Sequence, residues 1–235
     1  MELSVEQAVF DRYPGLNVVA VVVRDVDNTQ RSSEIAALQA QEILFAQKLF
    51  AEMPVSAHPI VQAWRAVYQT FGTASRYHSS VEALVTRVVR GKGISRINML
   101  VDLYNIASLK YLVPIGGEDL AMVSGNMQLG FARGDEPFIA LGTDENDPPA
   151  PGEVIYADDK GVLCRRFNWR EADRTKLTER TKHAIFCLEG IPPASELEIK
   201  EAAEALTQWV QRWCGGTFEC FLLNTQRSDI HFPFP

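Results

Sequence analysis

The chain has 235 residues, 46% of them hydrophobic and 23% charged, with a formal net charge of −7. This balance belongs to a folded globular protein and excludes a disordered chain. No apolar run approaches the roughly 20 residues that a membrane-spanning helix needs, so no membrane partner is expected.

Taken in chain order, the first clear element is a strand over Leu16–Val23, entered through the turn Tyr13-Pro14-Gly15. Its unbroken run Val18–Val23, short and rich in Val, reads as a buried strand. Ser32-Ser33-Glu34 then opens a helical pattern, with Ile35, Leu38, Ile43, Leu44 and Leu49 on one broad apolar face. Pro54 ends it, because proline cannot donate the helical hydrogen bond. Pro59 suits the first turn of a second helix, through Trp64, Val67 and Tyr68 to a stop at Gly72. Ser79 and Glu82 have capping-box spacing, and the helix they open runs through Leu84, Val85 and Val88 to Gly91-Lys92-Gly93. Arg87 and Arg90 lie near its C-terminal end, where the helix dipole favours cations. A further helix is predicted from Asn98 to Leu109, broken before Pro114 and Gly116-Gly117.

The second half changes to short strand-like runs: Met127–Ala132, Phe138–Leu141, Val154–Ala157 and Val162–Arg166. Asp158-Asp159-Lys160-Gly161 makes a good hairpin connection between the last two. Ala184–Leu188 is another apolar run, Ser195–Trp213 an amphipathic helix ending at Gly215-Gly216, and Thr217–Leu223 a last strand. The tail is expected to be irregular. The acidic loop Thr143–Gly152 is the one linker candidate, but strand signals continue on both sides, so residues 1–235 are read as one domain.

Charge is unevenly distributed. Arg87–Lys110 carries five basic residues and one acidic, Lys160–Lys182 eight basic and three acidic, and Tyr111–Asp159 between them one basic and ten acidic. Two basic blocks on an acidic chain are either phosphate-binding surfaces or solvated faces with acidic neighbours. Cys164, Cys187, Cys214 and Cys220 form no Cys-x-x-Cys pair, and His58, His78, His183 and His231 lie scattered without ligand spacing. No metal and no cofactor is therefore expected, and the cysteines read as small buried hydrophobes of a reducing compartment. The N-terminal Met-Glu-Leu-Ser-Val-Glu puts no basic segment ahead of an apolar one, so the expected location is cytoplasmic. Dinucleotide, phosphate-loop, nucleophile-elbow and zinc-protease motifs are absent.

An ordered series of segments remains. Ser79–Leu84 leads into Arg87 and Gly91-Lys92-Gly93, followed by Ile97-Asn98, Val101-Asp102-Leu103-Tyr104-Asn105, Ser108, Pro114 and Gly116-Gly117. Later come Gly152–Tyr156, Cys164-Arg165-Arg166-Phe167-Asn168-Trp169-Arg170, and Thr181. In order and spacing the series resembles the B3/B4 domain family, the editing domain of the phenylalanyl-tRNA synthetase beta subunit and its stand-alone relatives, across nearly the whole chain.

The resemblance implies an α/β fold with a central two-sheet β core and helices packed outside. It also implies a tRNA partner, aminoacylated, with no DNA, and hydrolysis of a mischarged aminoacyl ester by a positioned water without metal or covalent nucleophile. The family's Asp-x-Thr-Asn segment matches Asp102-Leu103-Tyr104-Asn105, with Tyr104 in place of the threonine. Its Gly-Gln-Pro-x-His turn matches Leu112-Val113-Pro114-Ile115-Gly116, with Gly116 in place of the histidine. Glu189 is the candidate for the family's strand-end glutamate. Asn105, Tyr104 and Glu189 are thus the catalytic candidates, and Asp102, Pro114, Gly116 and His183 the substrate-binding ones. Arg87, Arg90, Lys92, Arg165, Arg166 and Arg170 are the RNA-binding candidates, the last three mixing charge with aromatic surface at Phe167 and Trp169. Two functions stay open: a trans-acting deacylase, supported by Asn105 and the arginines, and a non-catalytic module for aminoacyl-tRNA or free amino acid, supported by Gly116. The substitutions at 104 and 116 leave the amino acid open.

Overall fold

The computed structural model describes residues 1–71 and 77–234, so the expected helix stop at Gly72 lies outside the described residues. In chain order the elements are β1 (Glu2–Val5), α1 (Gln7–Arg12), β2 (Asn17–Arg24), α2 (Ser33–Leu49), α3 (Pro59–Gln69), α4 (Ser80–Val89) and α5 (Met99–Tyr111). There follow β3 (Ile115–Asp119), β4 (Met127–Phe131), β5 (Val154–Asp158), β6 (Gly161–Arg165), β7 (Arg170–Glu171), β8 (Ala184–Gly190), α6 (Glu196–Cys214), β9 (Thr217–Leu223) and β10 (Asp229–His231). The strands form two sheets, ordered β10-β1-β4-β5-β6-β7 and β3-β8-β2-β9. The fold is α/β with a two-sheet core, as the sequence led us to expect.

The central strand β2 explains the layering. Successive side chains point to opposite faces of a strand. Val18, Ala20 and Val22 face the core between the sheets, with Leu129, Val154, Leu163 and Phe167. Val19, Val21 and Val23 face a second core built with Leu103, Ile106, Leu206 and Val210 of α5 and α6. Both faces are therefore dry, which is why the run has no polar alternation. Partners β8 and β9 flank it antiparallel along its whole length.

Several elements depart from expectation. Glu82 closes only half of the capping box. Ser79 accepts the Glu82 N–H at 3.3 Å, but the Glu82 carboxylate turns away to Arg65 and His78. Ion pairing outcompeted the reciprocal cap. Phe138–Leu141 makes only isolated bridges, Ile139 to Asn146 and Ala140 to Ala172, instead of a strand. Gly116-Gly117, read as a break, lies inside β3, where pairing to β8 overrides weak strand propensity. The tail forms β10 against β1. Cys220, expected to be buried, is exposed on β9, the edge strand of its sheet. The acidic loop does stay attached: Asp147 accepts an Arg165 hydrogen bond at 2.8 Å.

Candidate functional site

α5 begins where its sequence says it should. Asn98 caps it, accepting the Val101 N–H at 3.1 Å, and Asn28 donates to the same Asn98 oxygen at 3.0 Å. One helical turn further, Tyr104, Asn105 and Ser108 present an edge to a cleft of about 390 Å³. Ser80 and Leu84 of α4 form a second wall, Ile115 of β3 a third, and the stretch Asn168–Glu171 closes the fourth. A volume of this size fits a small ligand.

The back of the cleft is set by strand alternation. Gly116 pairs with Cys187 and Glu118 with Ile185, so both look into the space between the sheets, as does Glu189 two residues beyond Cys187. From the other sheet Tyr156, Cys164 and Glu171 meet them, aligned across β5, β6 and β7. Asn168 donates an Nδ2 hydrogen bond to Glu189. Glu171 accepts the Gly117 N–H at 3.4 Å. Burial pushes the Glu171 carboxyl up to about 7 against that hydrogen bond. Burial also raises Glu189, and it raises Glu118 with help from the Glu171 charge. Tyr104 is held well above the usual phenol range by burial, then by the charges of Glu171 and Glu118. The cleft thus joins amide and hydroxyl groups to a carboxyl that changes charge near neutrality.

The sequence candidates divide. Tyr104 and Asn105 line the cleft, Gly116 backs it, and Arg170 stands exposed at its mouth. Glu189 is fully buried and reaches the cleft only through Asn168. Asp102 is turned away: it pairs with Arg96 and accepts the Ile97 N–H at 2.9 Å, stapling the segment before α5. Pro114 is buried, and its carbonyl accepts the Glu189 N–H at 3.1 Å, so it sets the register of β8 instead of touching a ligand. His183 packs edge-on against Phe234 and lies six strand residues from Glu189, roughly 20 Å, so it is not brought to the cleft.

The expectation for Arg165 and Arg166 is corrected. Both are buried, at 5% and 4% exposure, because Glu153 neutralises them from within. Arg165 binds Glu153 at 2.9 Å through two nitrogens, and Arg166 binds it at 2.5 Å while stacking on Tyr77 and Trp169. Burial works to raise the Glu153 carboxyl, and these hydrogen bonds overcome it and hold it below the usual carboxylate range. Neither guanidinium can reach a phosphate. Arg87, Arg90 and Lys92 are exposed at the far end of α4, about 15 Å from Ser80 by helical rise. Arg87 also donates to Gly93 O at 2.8 Å and shapes the turn.

Sequence reasoning missed Ser80, Asn168 and Glu171 as cleft residues. Asn168 lies inside the quoted segment Cys164–Arg170 and Glu171 directly after it, which was the available signal. A larger hollow, of about 570 Å³, lies on the six-stranded sheet. Its carboxylates Glu2, Glu6, Asp135, Glu136, Asp158 and Asp159 outnumber Arg133 and Lys160, and it gathers none of the candidates. Among the described residues no cluster of three or more His, Cys, Asp and Glu could hold a metal ion, and no helix is long and apolar enough to cross a membrane.

A profile of the B3/4 domain matches residues 63–215, more than half of the chain. The chain belongs to the B3/4 domain family. The matched span of this B3/4 domain contains α4, α5, β3 and the Asn168–Glu171 stretch, and therefore every wall of the cleft. The structure is also similar to the crystal structure of an N-terminal fragment of the phenylalanyl-tRNA synthetase beta-subunit from Pyrococcus horikoshii. The identity is 14% and the TM-score 0.48, with 92% of this chain and 49% of that one covered. The chain therefore spans about half the length of that fragment. No curated protein matches the B3/4 domain chain described here.

Proposed function

We propose that this B3/4 domain is a trans-acting hydrolase of aminoacyl-tRNA esters, working in the cytoplasm in the cleft beside Asn105. The observation that carries the reading is that Tyr104 and Asn105, matched to the family's Asp-x-Thr-Asn segment, open onto one cleft with Ser108, Asn168 and Glu171. Water adds through its oxygen to the acyl carbon, the ester C–O bond breaks, and the proton released by water passes to the ribose oxygen. Glu171, titrating near neutrality, is suited to carry that proton. Asn105 can donate and accept, and so can orient the water against the ester. An aminoacyl ester is already activated, so orientation and hydrogen bonding supply much of the needed rate. Exposed Arg170 at the mouth, and Arg87, Arg90 and Lys92 at the far end of α4, would take the tRNA backbone.

The second reading, a module that holds aminoacyl-tRNA or a free amino acid without cleaving it, is favoured by Gly116, which places no imidazole in the cleft. A panel of correctly and wrongly charged tRNAs separates the two. The wild type should release amino acid from at least one mischarged tRNA, and Asn105→Ala should lower that rate roughly tenfold to a thousandfold, the range for losing one positioned polar group. The melting temperature should be nearly unchanged, since Asn105 is only partly buried at the cleft edge. Binding without release across the whole panel would leave the binding module standing.

A further inference from the structure

We propose that Asn168 is the residue that holds the acyl carbonyl of the ester in the cleft, and that position 116 is glycine so that Asn168 can stand there. The proposal rests on the hydrolytic reading above and deepens it.

Gly116 sits in β3 with ordinary extended backbone, so its conformation does not demand glycine. Space does. A Cβ at 116 would overlap Asn168 Oδ1, come within 3.3 Å of Asn168 Cγ and lie 3.4 Å from Glu171 Oε1. The missing side chain on one sheet is filled by an amide from the other. That amide is held from behind, because Glu189 accepts one Nδ2 hydrogen and Asn168 is only 7% exposed. A primary amide has two N–H donors, so one is committed to Glu189 and one is left for the cleft that Asn168 lines.

The loop presenting it is over-determined. Arg166 and Phe167 adopt left-handed φ of 51° and 64°, which side-chain-bearing residues adopt only when their surroundings enforce it. Tyr68 Oη donates to Arg166 O at 2.9 Å, the Phe167 ring packs edge-on against Tyr13 and Trp64, and Glu153 clamps the Arg166 guanidinium. A donor fixed this way needs no reorganisation as negative charge grows on the carbonyl oxygen, the condition under which a single hydrogen bond contributes most to rate.

The test is a double-mutant cycle read by single-turnover deacylation, with a tRNA that the wild type hydrolyses. Asn168→Ala should lower the rate constant roughly tenfold to a thousandfold, with tRNA affinity changed by less than about threefold. Gly116→Ala should do nearly the same, because its methyl displaces the amide. In the Asn168→Ala background, Gly116→Ala should cost almost nothing, since the space has been vacated. Asn168→Ala at the wild-type rate, or full additivity of the two changes, overturns the proposal. A second arm does not depend on turnover: with 3′-amide-linked phenylalanyl-, tyrosyl- and alanyl-adenosine as probes, the Asn168 side-chain NH₂ signals in an NMR spectrum should shift on binding. Shifted signals with no hydrolysis across the tRNA panel would fail the hydrolytic reading but keep Asn168 as the carbonyl contact. Binding that leaves those signals in place, or no binding of any probe, overturns the assignment.

Discussion

At the scale of single residues, the arginines divide by where their charge is spent. Arg165 and Arg166 face Glu153 inside the protein, whereas Arg170 is solvated at the cleft mouth. Removing one partner of a buried ion pair leaves its counter-charge stranded, at a cost of about 3–5 kcal/mol. Glu153→Ala, which takes away the carboxylate paired with Arg166 and leaves Arg165 only Asp147, should therefore lower the melting temperature by roughly 6–20 °C for a chain of this size. Arg170→Ala should leave it within about 2 °C, since exposed substitutions change stability by roughly 0.5 kcal/mol or less. The same variant should reduce the slope of log tRNA affinity against log salt by about one, the signature of one lost phosphate contact. Thermal melts and a salt titration check both halves. An unchanged melt for Glu153→Ala would mean that the two guanidinium groups are satisfied without it.

At the scale of elements, what holds the cleft wall is the start of α5. Asn98 accepts from Val101 N and from Asn28 Nδ2, and donates to Leu177 O at 2.9 Å. Asn28 in turn accepts from Leu100 N at 2.8 Å and donates to Thr178 O. Two buried asparagines thus tie the helix to the segments after β2 and before β8. Asn98→Ala loses a cap, about 0.5–2 kcal/mol, and orphans buried donors at about 1–3 kcal/mol. A chemical-denaturation midpoint should show a loss of about 2–4 kcal/mol, and Asn98→Asp, which keeps the cap oxygen, should recover part of it. Such capping was readable in advance: Ser32, Ser79, Asn98 and Ser195 each accept from the first turn of the helix they precede. So was β2, whose unbroken apolar run reads as a buried strand. The cleft was half readable. Tyr104 and Asn105 came with a recognisable segment, but Asn168 joins them only because β3 and the Arg166–Trp169 loop meet across two sheets. Pairings that span so much sequence leave no local period. The arginines failed for a related reason, since a basic block does not reveal that Glu153, more than ten residues upstream, will fold beneath it.

At the scale of the whole molecule, the two sheets close over three carboxyl groups, Glu118, Glu171 and Glu189, all raised chiefly by burial. A carboxyl raised in the folded state keeps its proton where the unfolded chain has released it. Its contribution to stability is complete below the ordinary carboxylate pKa and is lost as pH rises through the folded value. For Glu171 that window runs from 4.5 to about 7, and for the more enclosed Glu118 and Glu189 the loss continues above the ordinary range. Glu153 works in the opposite sense. Its lowered carboxyl contributes stability at neutral pH that disappears in acid, along with the lowered Glu136 and Glu198. The two groups oppose each other, so the melting temperature should peak in mild acid, near pH ~5–6, and fall on both sides. Between pH 5 and 8 the decline traceable to Glu171 should be on the order of 1–3 kcal/mol, after allowing for screening at its cleft edge. Glu171→Gln keeps the shape, cannot ionise and should flatten that limb, whereas Asp173→Asn on the surface should not. A melting temperature that rises steadily from pH 5 to 8 would mean that these carboxyls are ionised in the folded state, with cationic or solvent partners between the sheets.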